Sequence, residues 1–395
     1  MGGDTGLEFL TNINVDFLGR RKAGFFVSAM LILIGLVSLG VHRGPNFGID
    51  FRGGVQIHAK FDRVVTESDL KPMLTNLGYG RAKIQADSDE QKASISLGYR
   101  PEFDQRVTLS LASDPGDATA MRVQVSSSAD MIDIFQTDDV IQLVEGDNRI
   151  RNTISDITVE GETTTFQLTE AIGTDLTEAA VIQRQASDGR ILSDALRRGG
   201  DDWQAVDGGV TVSEVGPSVG TDMKLAALWS VLASIVILLL YITWRFEFRF
   251  SIGAIAALIH DVLITLGVFS LVSKEINLPT IAAFLTIIGY SLNDTIVVFD
   301  RIRENTLILK GVDHQEVLNR SINQSLSRTV ITSLTTLFVV FVIFMRSGPG
   351  EELNTFAFAL IIGVMIGTYS SIFIASPIVH IWHLMDQKRA ANHAR

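Results

Sequence analysis

Asp294 sits in the apolar run 279–299, shortly before the charged pair Asp300-Arg301. An ionised carboxylate in such a run costs several kcal/mol unless it is neutralised, paired or wetted. Burial favours the uncharged acid and a neighbouring cation favours the carboxylate, so a cation that moved would load or release a proton. The alternative is a carboxylate that only hydrogen-bonds across helices. Arg328 is the candidate cation: it opens the run 329–345, and seventeen residues separate it from Arg346. A helix of that length reaches about 25 Å, short of the hydrocarbon core. Arg328 is therefore either partly inside the bilayer or an anchor whose head reaches the interface. Asp261, midway along the run 251–272, is a further candidate for the proton relay, as a partner within a helical bundle. His260 adjoins it in sequence but falls on another helix face, and is read as structural.

Weaker signals surround these residues. Ser291 and Asn293 can hydrogen-bond across helices, each worth only about 0.6–2 kcal/mol. Gly289, Gly363 and Gly367 read as points of close helix packing, the last two as G-x-x-x-G. The sequence has no G-x-x-x-x-G-K-[ST], H-E-x-x-H or G-x-S-x-G, which argues against a P-loop ATPase, a zinc protease and an α/β-hydrolase. With no cysteine and no metal-ligand cluster, neither enzymatic activity, metal nor cofactor is expected. An energy-using membrane protein without a nucleotide site draws on an ion gradient. One charge crossing 100 mV is worth about 2.3 kcal/mol, which shifts a two-state equilibrium by roughly fiftyfold.

The elements that hold these residues are membrane helices. Hydrophobic residues make up 47% of 395 and the mean hydropathy is +0.29, more than a soluble domain shows. Six apolar runs, 24–41, 225–244, 251–272, 279–299, 329–345 and 355–382, approach or exceed the roughly 20 residues needed to span a bilayer. The first follows Arg20-Arg21-Lys22 and lacks a small-residue cleavage site, so it reads as an uncleaved anchor. Lys and Arg gather in the N-terminal segment 1–23, in the second–third and fourth–fifth connections, and in the tail 386–395. Both termini are therefore expected in the cytoplasm. Thirty acidic and seventeen basic residues lie between His42 and Lys224, a balance of −13 that leaves +2 for the rest of a chain of net charge −11. That acidic segment is placed outside and is no nucleic-acid binder.

The exported segment, 42–223, is too patterned for a linker. Strands are expected at 55–61, 82–86, 92–97 and 210–215, with helices at 66–77 and 174–198. Their order, strand-helix-strand-strand-helix-strand, is ferredoxin-like. The block 101–173 reads as an insertion with strands near 107–112 and 121–126, a hairpin at 157–168, and apolar-acidic stretches at 131–144. The predicted fold class is an α-helical polytopic membrane protein with six transmembrane helices, 24–41 plus a five-helix bundle in 224–385, and an exported α+β ferredoxin-like domain carrying a β-rich insertion.

Three motifs then resemble a known family. Gly48-Ile49-Asp50-Phe51-Arg52-Gly53-Gly54 follows the first span, and Val215-Gly216-Pro217-Ser218-Val219-Gly220 precedes the second. The fourth span carries Ile288-Gly289-Tyr290-Ser291-Leu292-Asn293-Asp294-Thr295 and continues to Asp300-Arg301-Ile302-Arg303-Glu304-Asn305. In wording and order these are similar to the SecF family of bacterial protein-export subunits, within the resistance-nodulation-division superfamily. The long fourth-span motif carries most of the specificity. The resemblance implies a subunit of the bacterial inner membrane that uses the proton-motive force to promote protein export. It also implies a SecD partner, because six spans form half of a pseudo-symmetric pair, with the Sec channel complex, exported polypeptides and protons as further partners. Positions matching Asp294 and Arg328 are implicated in proton conduction in that family. The resemblance implies a shorter exported domain, roughly half this length, so the block 101–173 is expected to have no counterpart in the family. Two other readings stand beside this one: a proton-driven exporter of small molecules or lipids, and a non-transporting assembly scaffold. The connection 300–328, with its alternating charge, is expected to be a solvated amphipathic helix.

Overall fold

The computed structural model describes residues 14–77, 79–87, 91–98, 109–111, 120–124, 137, 140–145, 148–160, 163–170, 181–184, 188–200, 202–348 and 350–393. The chain begins α1 (Arg21–Val41), α2 (Ile49–Arg52), β1 (Gly54–Phe61), α3 (Glu67–Asn76), β2 (Lys83–Ala86) and β3 (Lys92–Gly98). Strands β4 (Leu109–Leu111), β5 (Ala120–Gln124), β6 (Val140–Glu145), β7 (Asn148–Glu160), β8 (Thr163–Leu168) and β9 (Val181–Arg184) follow. Then come α4 (Asp188–Arg198), β10 (Ala205–Val215), α5 (Pro217–Arg245), α6 (Phe248–Leu271), α7 (Leu278–Ile308) and α8 (His314–Arg346). The chain ends in α9 (Glu352–Ser370), a π-helical turn (Ser371–Ala375) and α10 (Ser376–His393). Two compact units result: residues 52–217, and the remainder.

In the 52–217 unit, β10, β1, β3 and β2 form an antiparallel sheet in that order, with Ile57 opposite both Ile95 and Val212. Alternation in β1 sends Val55, Ile57, Ala59 and Phe61 into one core. Leu70 and Leu74 of α3 and Leu192 and Leu196 of α4, each pair four residues apart, complete that core. Thr66 and Asp69 close a capping box at the start of α3. The second sheet runs β4-β5-β8-β7-β6-β9. Here the expected helix 174–198 is corrected: the β-branched pair Val181-Ile182 lies in β9 against β6, and the described helix is Asp188–Arg198. The second sheet thus uses residues beyond 173. Gly78, the expected helix stop, and much of 131–144 lie outside the described residues.

Among the described residues, the other unit contains six helical stretches long and apolar enough to cross a membrane, Arg21–Val41, Val219–Arg245, Phe248–Leu271, Leu278–Ile308, His314–Arg346 and Glu352–Arg389. The last is α9 and α10 joined through the π turn, which explains why its run exceeded one crossing. The connection 300–328 is not a separate helix. It is the end of α7 and the start of α8, reversed by the short turn after Ile308 and tied by Asn305 Nδ2 to Ser321 Oγ at 2.9 Å and Gln324 Oε1 at 2.8 Å. α6, α7 and α9 form the centre, whereas α5 and α8 expose large apolar side chains such as Trp229, Leu240, Leu334 and Phe338. Such faces suit lipid rather than water.

Candidate functional site

The segment after α1 is built to hold the start of α7. Gly48 N–H donates to the Ile276 carbonyl and Ile276 N–H to the Asn46 carbonyl, each at 2.7 Å. Asp50 Oδ2 then accepts from Leu278 N–H at 2.7 Å, beside the Asn277–Thr280 capping box of α7. The acid therefore sits on the positive end of that helix. Gly53 and Gly54 adopt φ of 74° and 131°, which other residues reach only with strain. At the second motif, an added Cβ on Gly216 would touch nothing, Pro217 opens α5, and Gly220 is buried within it.

Along α7, Asp294 is only 2% exposed. Ser333 of α8 donates to its Oδ2 at 3.3 Å, and the same hydroxyl lies 2.6 Å from Thr368 Oγ1 on α9. Thr368 gives its own proton to the Val364 carbonyl. Ser333 therefore divides one proton between a close hydroxyl and a distant carboxylate. A buried carboxylate served this poorly is expensive to keep ionised. Arg328, on α8, is exposed, forms no ion pair within 4 Å among the described residues, and lies close enough to act on Asp294 electrostatically. The cation thus acts on the acid without an ion pair holding it there.

Asp261 is satisfied by contrast. Its Oδ2 accepts from Ser291 Oγ of α7 at 2.5 Å and from Ser370 Oγ of α9 at 2.8 Å, and it is 1% exposed. The separation of His260 from Asp261 expected from helix geometry is corrected: His260 Nδ1 lies 2.8 Å from Asp261 Oδ1. The imidazole is long enough to fold back along α6, and Ser28 of α1 holds its other nitrogen at 2.9 Å.

Glycine spacing explains how the helices come this close. A Cβ on Gly363 would lie 2.3 Å from Ile287 Cδ1, and one on Gly367 would lie 3.0 Å from Ser291 Cβ. The α9 pair thus seats α7 directly and sets Ser291 against Asp261. Gly289 is corrected, since an added Cβ there would meet nothing within 4 Å. Asn293 is also corrected: it is exposed and makes no side-chain hydrogen bond among the described residues, because it lies on the face of α7 away from α9. Sequence reasoning missed the hydroxyls Ser28, Ser333, Thr368, Tyr369 and Ser370. Their signal was the recurrence of Ser and Thr inside apolar runs. No group of three or more His, Cys, Asp or Glu able to hold a metal occurs among the described residues.

Residues 204–385 match the family described as protein export membrane protein SecD/SecF, C-terminal, and residues 39–63 match the SecD/SecF GG motif. The chain is 36% identical to a protein translocase subunit SecF of Rhodothermus marinus, covering 94% of each. It is 35% identical to one of Calditerrivibrio nitroreducens, over 95% of this chain and 96% of that one, so the expectation that the block 101–173 lacks a counterpart in the family is corrected. Among solved structures it is similar to SecDF, a translocon-associated membrane protein from Thermus thermophilus. The TM-score is 0.61 at 28% identity, over 95% of this chain and 39% of that one. A SecDF structure in a super-membrane-facing form matches with a TM-score of 0.53 at 28% identity, over 98% of this chain and 41% of that one. The chain thus spans about two fifths of these SecDF chains.

Proposed function

We propose that this chain, which belongs to the SecF family of protein translocase subunits, is an accessory subunit of a Sec translocase that uses proton influx to promote export of polypeptides. It works beside a SecD partner in the bacterial inner membrane, with both termini in the cytoplasm, and without enzymatic activity or cofactor. The SecDF likeness supports the partner, because this chain accounts for about two fifths of each SecDF chain it matches. The charge of the short connections supports the orientation. The strand order β10-β1-β3-β2 with two helices supports reading the outer unit as ferredoxin-like.

The observation that carries the proton reading is Asp294: a buried acid with one long, shared hydrogen bond and an unlocked guanidinium nearby. Asp294→Asn keeps the shape and removes the titration. Export into inverted vesicles should then lose its dependence on the proton-motive force while the complex with SecD still forms. Undiminished proton-driven export in that variant would refute proton coupling through Asp294. Loss of the complex instead would favour a scaffold. Purification of self-associated chains with no six-span partner would favour an exporter of small molecules or lipids.

A further inference from the structure

Three imidazoles meet at the turn between α7 and α8. His314 opens α8, while His380 and His383 come from α10. The His314 ring lies 3.9 Å from that of His383 and 5.6 Å from that of His380, centroid to centroid, with the planes 34° and 16° apart. Together with Lys310, Asp313 and Gln387 they line a cavity of about 340 Å³. His380 is only 4% exposed, yet neither it nor His314 makes a side-chain hydrogen bond among the described residues. His383 has one, to Gln387 Nε2 at 3.0 Å. Of the four buried side-chain polar atoms without a partner among the described residues, three are His314 Nε2, His380 Nδ1 and Arg249 Nε. Arg249 lies close enough to act on His314 electrostatically. Buried polar groups that the protein leaves unserved call for a partner from elsewhere.

The stacking argues against a metal centre. Ligating imidazoles aim their in-plane nitrogens at one point, whereas these rings lie face to face. The surrounding charge favours an anion instead. Arg21 of α1 acts on His380 and Arg249 of α6 on His314, and Lys310 has no ion pair within 4 Å among the described residues. Two carboxylates stand against these three cations, and both are engaged. Glu247 pairs with Arg249 at 2.6 Å, and Asp313 caps α8 by accepting from Gln315 N–H at 3.0 Å. The N-terminus of α8 adds its own partial positive charge. Val312 and Leu384 on the cavity wall, with Ile308 and Ile381 beside it, are exposed apolar side chains. An anion carried on apolar chains matches both features. We propose that this cavity binds the phosphate-bearing headgroup of an anionic phospholipid, whose acyl chains lie on the apolar rim. The imidazoles and Lys310 donate to the phosphate oxygens, while Arg21 and Arg249 supply field rather than contact. On the proposed orientation the cavity faces the cytoplasmic leaflet, and the lipid ties α10 to the α7–α8 turn. The inference does not depend on proton coupling through Asp294.

The test is native mass spectrometry of the full chain in detergent micelles with three probes. Dioleoylphosphatidylglycerol has phosphate and chains, dioleoylglycerol has the chains alone, and inorganic phosphate has no chains. Phosphatidylglycerol should bind the wild type about tenfold or more tightly than dioleoylglycerol does. His314→Phe keeps an aromatic ring in the stack but removes both nitrogens, and should weaken phosphatidylglycerol about tenfold. Lys310→Ala, in an exposed turn that leaves the helices intact, should weaken it about two- to fivefold. Arg346→Gln, at the far end of α8, removes a cation away from the cavity and should leave binding unchanged. Phosphatidylglycerol held equally by the wild type and both cavity variants would overturn the inference, as would dioleoylglycerol binding as tightly. An equal loss in Arg346→Gln would reduce the effect to overall charge and overturn it too. Displacement of phosphatidylglycerol by equimolar inorganic phosphate would assign the cavity to a soluble anion and overturn the lipid.

Discussion

Gly363 offers the sharpest quantitative test of how the bundle is assembled. An alanine Cβ at this position would stand 2.3 Å from both Cδ1 and Cγ1 of Ile287 and 2.8 Å from its Cγ2. Carbon atoms prefer about 3.5–4.0 Å, so three atoms of one side chain are overrun at once. Ile287 is 1% exposed and has no solvent to swing into. Overpacking of this kind costs about 1–3 kcal/mol, set against a helix-propensity gain of about 0.8–1 kcal/mol for replacing glycine. Ile287→Ala deletes all three offending atoms. Gly363→Ala should therefore destabilise the wild-type chain yet stabilise the Ile287→Ala chain, giving a coupling of about 1–3 kcal/mol. Gly289→Ala, whose Cβ meets nothing within 4 Å, is the control and should not couple to Ile287. The assay is reversible unfolding of the full chain in mixed micelles, followed by helicity. Equal effects of Gly363→Ala in the two backgrounds, within about 0.5 kcal/mol, would refute the claim that this glycine exists to seat Ile287.

Other expectations concern separate parts of the chain. Asp50→Ala should cost about 1 kcal/mol by leaving Leu278 N–H uncapped, with Asn at the same position recovering most of it; thermal unfolding reads both. Ile57→Ala, at a fully buried site of the β10-β1-β3-β2 sheet, should cost about 2–5 kcal/mol, seen as faster hydrogen exchange in β1 and β3. Asp69 is held below the usual carboxylate range chiefly by Thr66 N–H and then by the Thr66 hydroxyl. Its folded value being depressed, its stabilisation is complete above the ordinary value of 3.8 and fades as pH falls below it. Protection of α3 in the wild type and in Asp69→Asn should therefore differ at neutral pH and converge in acid. Finally, Asn323 accepts from Val15 N–H at 3.0 Å and donates to the Val15 carbonyl at 2.9 Å. Asn323→Ala should speed proteolysis ahead of α1 without altering cleavage of the 52–217 unit.

The spans and their order were legible because lipid imposes a length and an apolar composition that no soluble context demands. The first strand and helix of the 52–217 unit were legible too, since Val55 to Phe61 alternates and Thr66 to Asp69 spells a capping box. Misreadings came where two elements share one pattern. The stretch ending at Arg198 has apolar residues at helical spacing, but Val181-Ile182 also pairs with β6, and tertiary pairing decides a short β-branched run. Gly289 and Gly363 look alike in sequence; only the neighbouring helix distinguishes them. His260 was misjudged because helix-face arithmetic follows Cβ directions, whereas an imidazole reaches back along its own helix. The serine and threonine partners were hidden for another reason. A hydroxyl in an apolar run bonds by default to its own helix, and sequence does not reveal which of them turn aside to a carboxylate.

The two acids of the bundle differ in which helices serve them, and this bears on how one could be switched without the other. Asp261 takes its partners from α6, α7 and α9, the elements that glycine contacts draw together. Asp294 depends on α8 for both its hydrogen bond and its cation, since Ser333 and Arg328 lie five residues apart on that helix. α8 is pinned near its start by Asn305, and by Asn319 and Asn323, which bind the segment before α1. Farther along it meets the centre through Ser333–Thr368 at 2.6 Å and Tyr290–Thr336 at 3.2 Å, buries Val340 while Phe338 and Phe341 face outward, and is tied at its end by Asn354 Nδ2, which donates to the Phe344 carbonyl at 3.2 Å and the Ser347 carbonyl at 3.0 Å. A displacement of α8 between those tied ends would break few polar contacts. It would withdraw the weak donor from Asp294 and reposition Arg328 in one movement, leaving the Asp261 cluster intact. On the proposed function, α8 is therefore the element through which a change at the membrane surface would reach the proton site.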